Sequence, residues 1–212
     1  MLDLIFAHVG KTGGSSIARA LVDHYGAEGT SRIWSFGARA VARDDLPGQV
    51  AGKRLAYGHL RIADFDDIPS RFRITFLRDP VDRLISLYFY FLGTPARGSG
   101  ERKRIHSDGA GILDFARSPR IATAYSERYF GGYDMSRFDL IGRFENFADD
   151  ISRIETLIGA SLPVHRLNPS PDPDYAANKA AILGDPHLMA GLREVLAADI
   201  EFYENHVPSA RV

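Results

Sequence analysis

Phe6-Ala-His-Val-Gly-Lys-Thr-Gly-Gly-Ser-Ser-Ile17 joins an apolar run to a glycine-rich turn holding one lysine, Lys11, and then to two hydroxyls, Ser15 and Ser16, that open a helix. Backbone N–H groups at a helix start point outward, glycines let the chain approach an anion closely, and the ammonium of Lys11 adds a mobile positive charge. With a strand expected over 2–9 and a helix over 15–25, the stretch reads as a P-loop-like strand-loop-helix that cradles a phosphate. The usual nucleoside-triphosphatase loop needs a glycine five positions before Gly10, where Ile5 stands inside the strand. Here the glycines, Gly13 and Gly14, follow the lysine instead. The loop is therefore too short to wrap a triphosphate and suits a single 5′-phosphate. The plain alternative is an ordinary strand-to-helix turn with Ser15 as N-cap, and the lysine argues against it.

The rest of the chain bounds this reading. At 212 residues, 45% hydrophobic and 25% charged, it has the material for one domain with one core, and 1–212 is expected to form a single domain. A net charge of −1 gives no global field toward nucleic acid or anionic lipid, so anion binding must be local. Lys11, Lys53, Lys103 and Lys179 are its only lysines, which makes one in a loop conspicuous. The absence of cysteine excludes disulfides, thiolate catalysis and thiolate-bound metal. No apolar run approaches the roughly 20 residues that span a bilayer, and a strand opens the sequence, so a cytoplasmic location is expected.

Short apolar runs at 2–9, 54–57, 72–77 and 138–141 alternate with segments of helical spacing, the pattern of an α/β fold with a mostly parallel central sheet flanked by helices. The spacing predicts helices over 80–91, 147–158 and 186–205, with Asp79-Pro80 and Asp185-Pro186 as helix starts. Residues 93–111 and 167–174 read as surface or lid loops.

Two further signals fall at strand ends, where ligands bind such sheets. Arg78 follows the strand at 72–77, and Ser86 lies on the polar face of the next helix; together they offer a guanidinium fork and a hydroxyl to a second anion. The bland reading pairs Arg78 with Asp79 or Asp82. His59, after a strand and Gly58, can take a proton near neutral pH, with an unperturbed pKa of about 6.5. The other six histidines, His8 among them, show no metal-ligand spacing.

The order of phosphate loop, Gly-His after a strand, and Leu-Arg78-Asp-Pro-Val-Asp-Arg-Leu-Ile-Ser86-Leu-Tyr resembles the sulfotransferase family, whose donor is 3′-phosphoadenosine 5′-phosphosulfate (PAPS). The resemblance is nearest to the branch containing heparan sulfate uronosyl 2-O-sulfotransferases, with counterparts at Tyr57-Gly58-His59, 76–90, 140–147 and Glu201-Phe202-Tyr203-Glu204. It implies that Lys11, Thr12, Gly13, Gly14, Ser15 and Ser16 hold the 5′-phosphosulfate, that Arg78 and Ser86 grip the 3′-phosphate, that His59 is the general base and Lys11 the catalytic cation, and that PAP leaves without help from a metal.

Gly10 stands where the family commonly has proline and Ser15 where it often has threonine; these 212 residues contain no cysteine, and no anchor or stem like those of the Golgi members is expected. A hydroxyl-bearing acceptor is implied, a sugar or glycan. The basic run 97–104 could draw an acidic one, and Tyr125, Tyr129, Phe130 and Tyr133 could form a sugar platform or pack in the core. Asn168 and Ser170 are weaker candidates for nucleotide contacts. The competing readings are a P-loop-like small-molecule kinase, with Asp79 as the magnesium carboxylate, and a nucleotide-binding protein without chemistry.

Overall fold

The run Leu2–Ala7 is apolar at nearly every position because, as β1, it lies at the centre of the sheet and is covered on both faces. The computed structural model describes residues 1–95, 100–163 and 172–207. In chain order, β1 is followed by α1 (Gly14–Tyr25), β2 (Thr30–Trp34), α2 (Leu46–Val50), β3 (Leu55–His59), β4 (Ser70–Leu77) and α3 (Pro80–Leu92). Then come α4 (Gly100–Asp108), α5 (Ile112–Ala116), α6 (Pro119–Ala122), a π-helical turn Ala124–Tyr129, β5 (Leu140–Arg143) and α7 (Phe147–Ile158). Three helices finish the chain: α8 (Tyr175–Gly184), α9 (Pro186–Val195) and α10 (Ala197–His206).

The chain divides into two compact units. The first, Met1–Arg78, Tyr129–Leu167 and His206–Val212, contains the sheet. Its strand order is β2-β3-β1-β4-β5, and every neighbouring pair is parallel. From β1 the chain runs out to the edge strand β2, returns to β3 beside β1, and then crosses to β4 on the far side of β1. The direction of winding thus reverses at β1, and the crevice at a reversal, outside the strand C-termini, is where open parallel sheets bind ligands. Leu4, Phe6, Ile17, Leu21, Leu55, Ile74, Phe76, Leu140, Ile151 and Ile154 form the core between this sheet and its helices.

The second unit, Asp79–Arg128 and Asn168–Asn205, is helical in its described residues. Val81, Leu84, Ile85, Phe89, Phe115, Ile121, Leu192 and Leu196 build its core. Asp199 is fully buried there and accepts from the Tyr125 and Ser126 backbone N–H groups and the Ser126 hydroxyl at 2.9–3.0 Å, which pins the start of the π-helical turn. Burial pushes its carboxyl pKa up, while the Arg83 guanidinium and these donors pull it back down.

Three departures from the sequence pattern have physical causes. β2 was not anticipated, because in an edge strand only Ile33 is fully buried and no alternating run shows. Residues 93–111 are not all loop: α4 forms within them, resting on the core through Ile105 alone. The helix expected over 186–205 is two, broken at Leu196. Among the described residues, no helix is long and apolar enough to cross a membrane.

Candidate active site

Between β1 and α1 the backbone takes a left-handed conformation twice, at Lys11 (φ 71°) and Gly13 (φ 79°). Glycine adopts it readily; for a lysine it costs on the order of 1–3 kcal/mol, and such strain clusters at functional sites. Gly13, not Ser15, is the N-cap of α1, and no side-chain hydrogen bond caps this helix, whereas Asp79 and Asp185 cap α3 and α9. The Ser15-capped turn is therefore not what forms. Thr12 is fully buried and donates its hydroxyl to the Val9 carbonyl at 2.9 Å, bracing the loop from inside. Ser16 is buried, its N–H bonded to the Gly13 carbonyl at 3.1 Å, and Ser15 is exposed.

The two glycines also serve packing. A Cβ on Gly14 would lie 2.0 Å from the His8 ring, and one on Gly13 would lie 2.9 Å from the Phe147 ring. The loop is thus clamped between an imidazole and a phenyl group.

Arg78 brings a second cation to the loop. It lies just beyond β4, buried, with Nη1 donating to the Lys11 carbonyl at 3.4 Å and its guanidinium 4.3 Å above the Phe144 ring. Phe144 in turn meets Phe147 with ring centroids 6.4 Å apart. Burial first, and then the charge of Arg78, lowers the pKa of the Lys11 ammonium. Two cations that raise each other's cost make a site whose energy an anion would lower. Ser86 lies on α3 in the helical unit, half-buried. Also in that unit, the Asp79 carboxylate accepts from the Asp82 N–H at 2.9 Å and the Asp82 carboxylate meets Lys179 at 2.7 Å.

His59 closes β3, and the glycine before it has a steric reason. Gly58 (φ 145°) packs so tightly on β2 that a Cβ there would stand 1.9 Å from the Ile33 carbonyl oxygen. His59 Nδ1 lies 2.8 Å from the His8 carbonyl oxygen and 3.1 Å from the Tyr129 hydroxyl. A carbonyl can only accept, so Nδ1 carries the proton and Nε2 carries the lone pair of the neutral ring. A Cβ on Gly10 would reach 3.9 Å from His59 Cε1, which puts the imidazole beside the glycine-rich loop.

His8, whose ring centre lies 4.8 Å from that of His59, is buried, and its pKa falls from 6.5 to about 3 through burial first, then the charges of His59 and Arg32. In the unfolded chain the same ring titrates near 6.5, so at lower pH the unfolded state binds a proton that the folded state refuses. Stability contributed by neutral His8 is complete above pH 6.5. It falls by about 1.4 kcal/mol per unit as the pH drops toward the folded pKa. Urea unfolding of wild type and His8→Gln between pH 7 and 4.5 is expected to show the wild-type advantage shrinking at that rate. Parallel stability curves would show that the ring titrates normally.

Lys11, Thr12, Gly13, Gly14, Ser15, Ser16, His59 and Arg78 all belong to the sheet unit, at the ends of the three adjacent strands β3, β1 and β4. His8, Phe144 and Phe147 are additions that sequence reasoning missed, and Tyr129, read there only as platform or core, meets His59. A period of two along β1 puts His8 on the face of Phe6, a signal that was there to be used; Tyr129 left none. Tyr125, Tyr129, Phe130 and Tyr133 are all buried, so they form core and not a sugar platform. Asn168 and Ser170 lie outside the described residues, as do positions 97–99 of the basic run. Among the described residues, no group of three or more His, Asp or Glu side chains is arranged to hold a metal.

A parallel sheet with a strained, glycine-rich loop at its point of reversal and helices around it defines an α/β protein. Within that class the chain belongs to the sulfotransferase family, which matches it over residues 2–204. Among solved structures, the crystal structure of mouse sulfotransferase SULT7A1 complexed with PAP is similar, with a TM-score of 0.43 at 12% identity over 99% of this chain and 85% of that one. None of the curated protein sequences matches it.

Proposed function

We propose that this sulfotransferase uses PAPS as donor and a hydroxyl of a carbohydrate as acceptor. The observation that carries the reading is the meeting of Lys11 and Arg78 at one loop, with the His59 imidazole beside it. A donor with phosphate at both ends of an adenosine fits two cations arriving from different strands. Bound there, PAPS supplies the sulfuryl group and departs as PAP.

The chain's own residues divide the work. The Lys11–Ser16 loop receives the 5′ end through backbone N–H groups at the start of α1, with Thr12 bracing the loop. Arg78, whose guanidinium lies over Phe144, takes the 3′-phosphate, and Ser86 is assigned to the same group on the sequence pattern alone. His59 Nε2 takes the acceptor hydroxyl proton as that oxygen bonds to sulfur. Lys11 neutralises the charge left on the bridging oxygen as its bond to sulfur breaks. The family match crosses both units, which supports treating 1–212 as one sulfotransferase-like domain. A cytoplasmic working place is proposed from the cysteine-free composition.

Incubation with sulfur-labelled PAPS and a panel of sugars and glycans is the test. Transfer of label to a sugar hydroxyl is expected, blocked by adenosine 3′,5′-bisphosphate and not by ATP with magnesium. Preference for ATP and phosphorylation of the acceptor would overturn the proposal in favour of a kinase.

A further inference from the structure

His59 is useful as a base only while its ring keeps one tautomer and one direction, and the structure holds it from three sides. The His8 carbonyl takes its Nδ1–H, the His8 ring lies against it, and the Tyr129 hydroxyl sits 3.1 Å from the same nitrogen. Of the three, the tyrosine hydroxyl is the side-chain group within hydrogen-bond reach of Nδ1. Its ring is held edge-on to His59 at 6.2 Å and also by groups outside that pair, edge-on to Phe36 at 5.2 Å and tilted on Phe130 at 6.2 Å, with only 7% of the residue exposed. It is also the last residue of the π-helical turn, a conformation frequent at functional sites.

Granting the reading of His59 as the base, we propose that Tyr129 is a positioning residue for sulfuryl transfer. Its hydroxyl oxygen accepts a second branch of the His59 Nδ1–H bond, keeps the lone pair on Nε2, and stabilises the ring once that nitrogen has taken the acceptor's proton. The tyrosine makes no contact with the reacting atoms and acts through the imidazole alone.

The His8 ring faces His59 at 4.8 Å between ring centres, Arg32 on β2 acts on His8, the Tyr129 hydroxyl lies at His59 Nδ1, and Lys11 stands in the neighbouring loop. Because His8 titrates at about 3, the acid limb of a rate profile is read at His59.

Tyr129→Phe keeps the ring and removes the hydroxyl. The expected result is a kcat lower by about tenfold, the scale of one hydrogen bond to a charged ring, with the KM for PAPS unchanged and the acid limb moved to lower pH. The nitrogen NMR signals of His59 in the protein without ligands should shift as well, with a larger share of the other tautomer. Wild-type kcat and an unmoved acid limb would overturn the proposal, whether or not the NMR signals move. The companion variant His59→Ala separates the two layers. If it keeps full turnover, the base assignment fails; if it loses turnover while Tyr129→Phe does not, only the positioning role fails.

Discussion

Replacing Lys11 with alanine is expected to lower kcat by about 10²–10³-fold, the loss seen when one preorganised stabiliser of developing charge is removed. At about 4 Å and an effective dielectric of about 20, a unit charge interacts with another by about 4 kcal/mol before desolvation. Only the part that grows between ground state and transition state accelerates the reaction. Binding of adenosine 3′,5′-bisphosphate should weaken less than turnover, because the loop N–H groups remain. The backbone adds a second readout. At φ 71° alanine is strained and glycine is not, so Lys11→Gly should be more stable than Lys11→Ala by about 1 kcal/mol in thermal or urea unfolding, with turnover equally low. Full activity in either variant would remove the ammonium from the chemistry.

His59→Ala is expected to lose about 10²–10⁴-fold in kcat, the usual contribution of a positioned base, while bisphosphate affinity stays near wild type. The split follows from geometry. His59 borders the loop through Gly10 but holds its Nδ1 on the His8 carbonyl and the Tyr129 hydroxyl, so removing it leaves the Lys11–Arg78 contact in place. Equal losses in binding and turnover would indicate a structural histidine.

What could be read from residues 6–17 is local chemistry: glycines, one lysine and a helix start lie within one turn of chain, and the structure forms that element as expected. The parallel sheet was likewise visible, because strands buried on both faces print continuous apolar runs. The arrangement around the loop is another matter. Arg78 reaches Lys11 across 67 residues because β4 lies beside β1, a consequence of strand order that no local pattern encodes. His59 was noticed as a histidine after glycine; that Gly58 is required by the Ile33 carbonyl emerged only with β2, the strand that was missed. The aromatic residues at 125–133 show the converse problem. Their spacing was equally good for a platform and a core, and the one that matters, Tyr129, does so through a π-helical turn that residue types do not announce.

The two-ended grip can be measured most directly by calorimetric titration of wild type and Arg78→Ala with adenosine 3′,5′-bisphosphate and with adenosine 5′-monophosphate. If Arg78 holds the 3′-phosphate, the variant binds the bisphosphate at least tenfold more weakly, the scale of a charge-assisted hydrogen bond, and binds the monophosphate as wild type does. Equal weakening for both ligands would contradict the account, because Arg78 would then serve only to shape the loop that ends at Gly13.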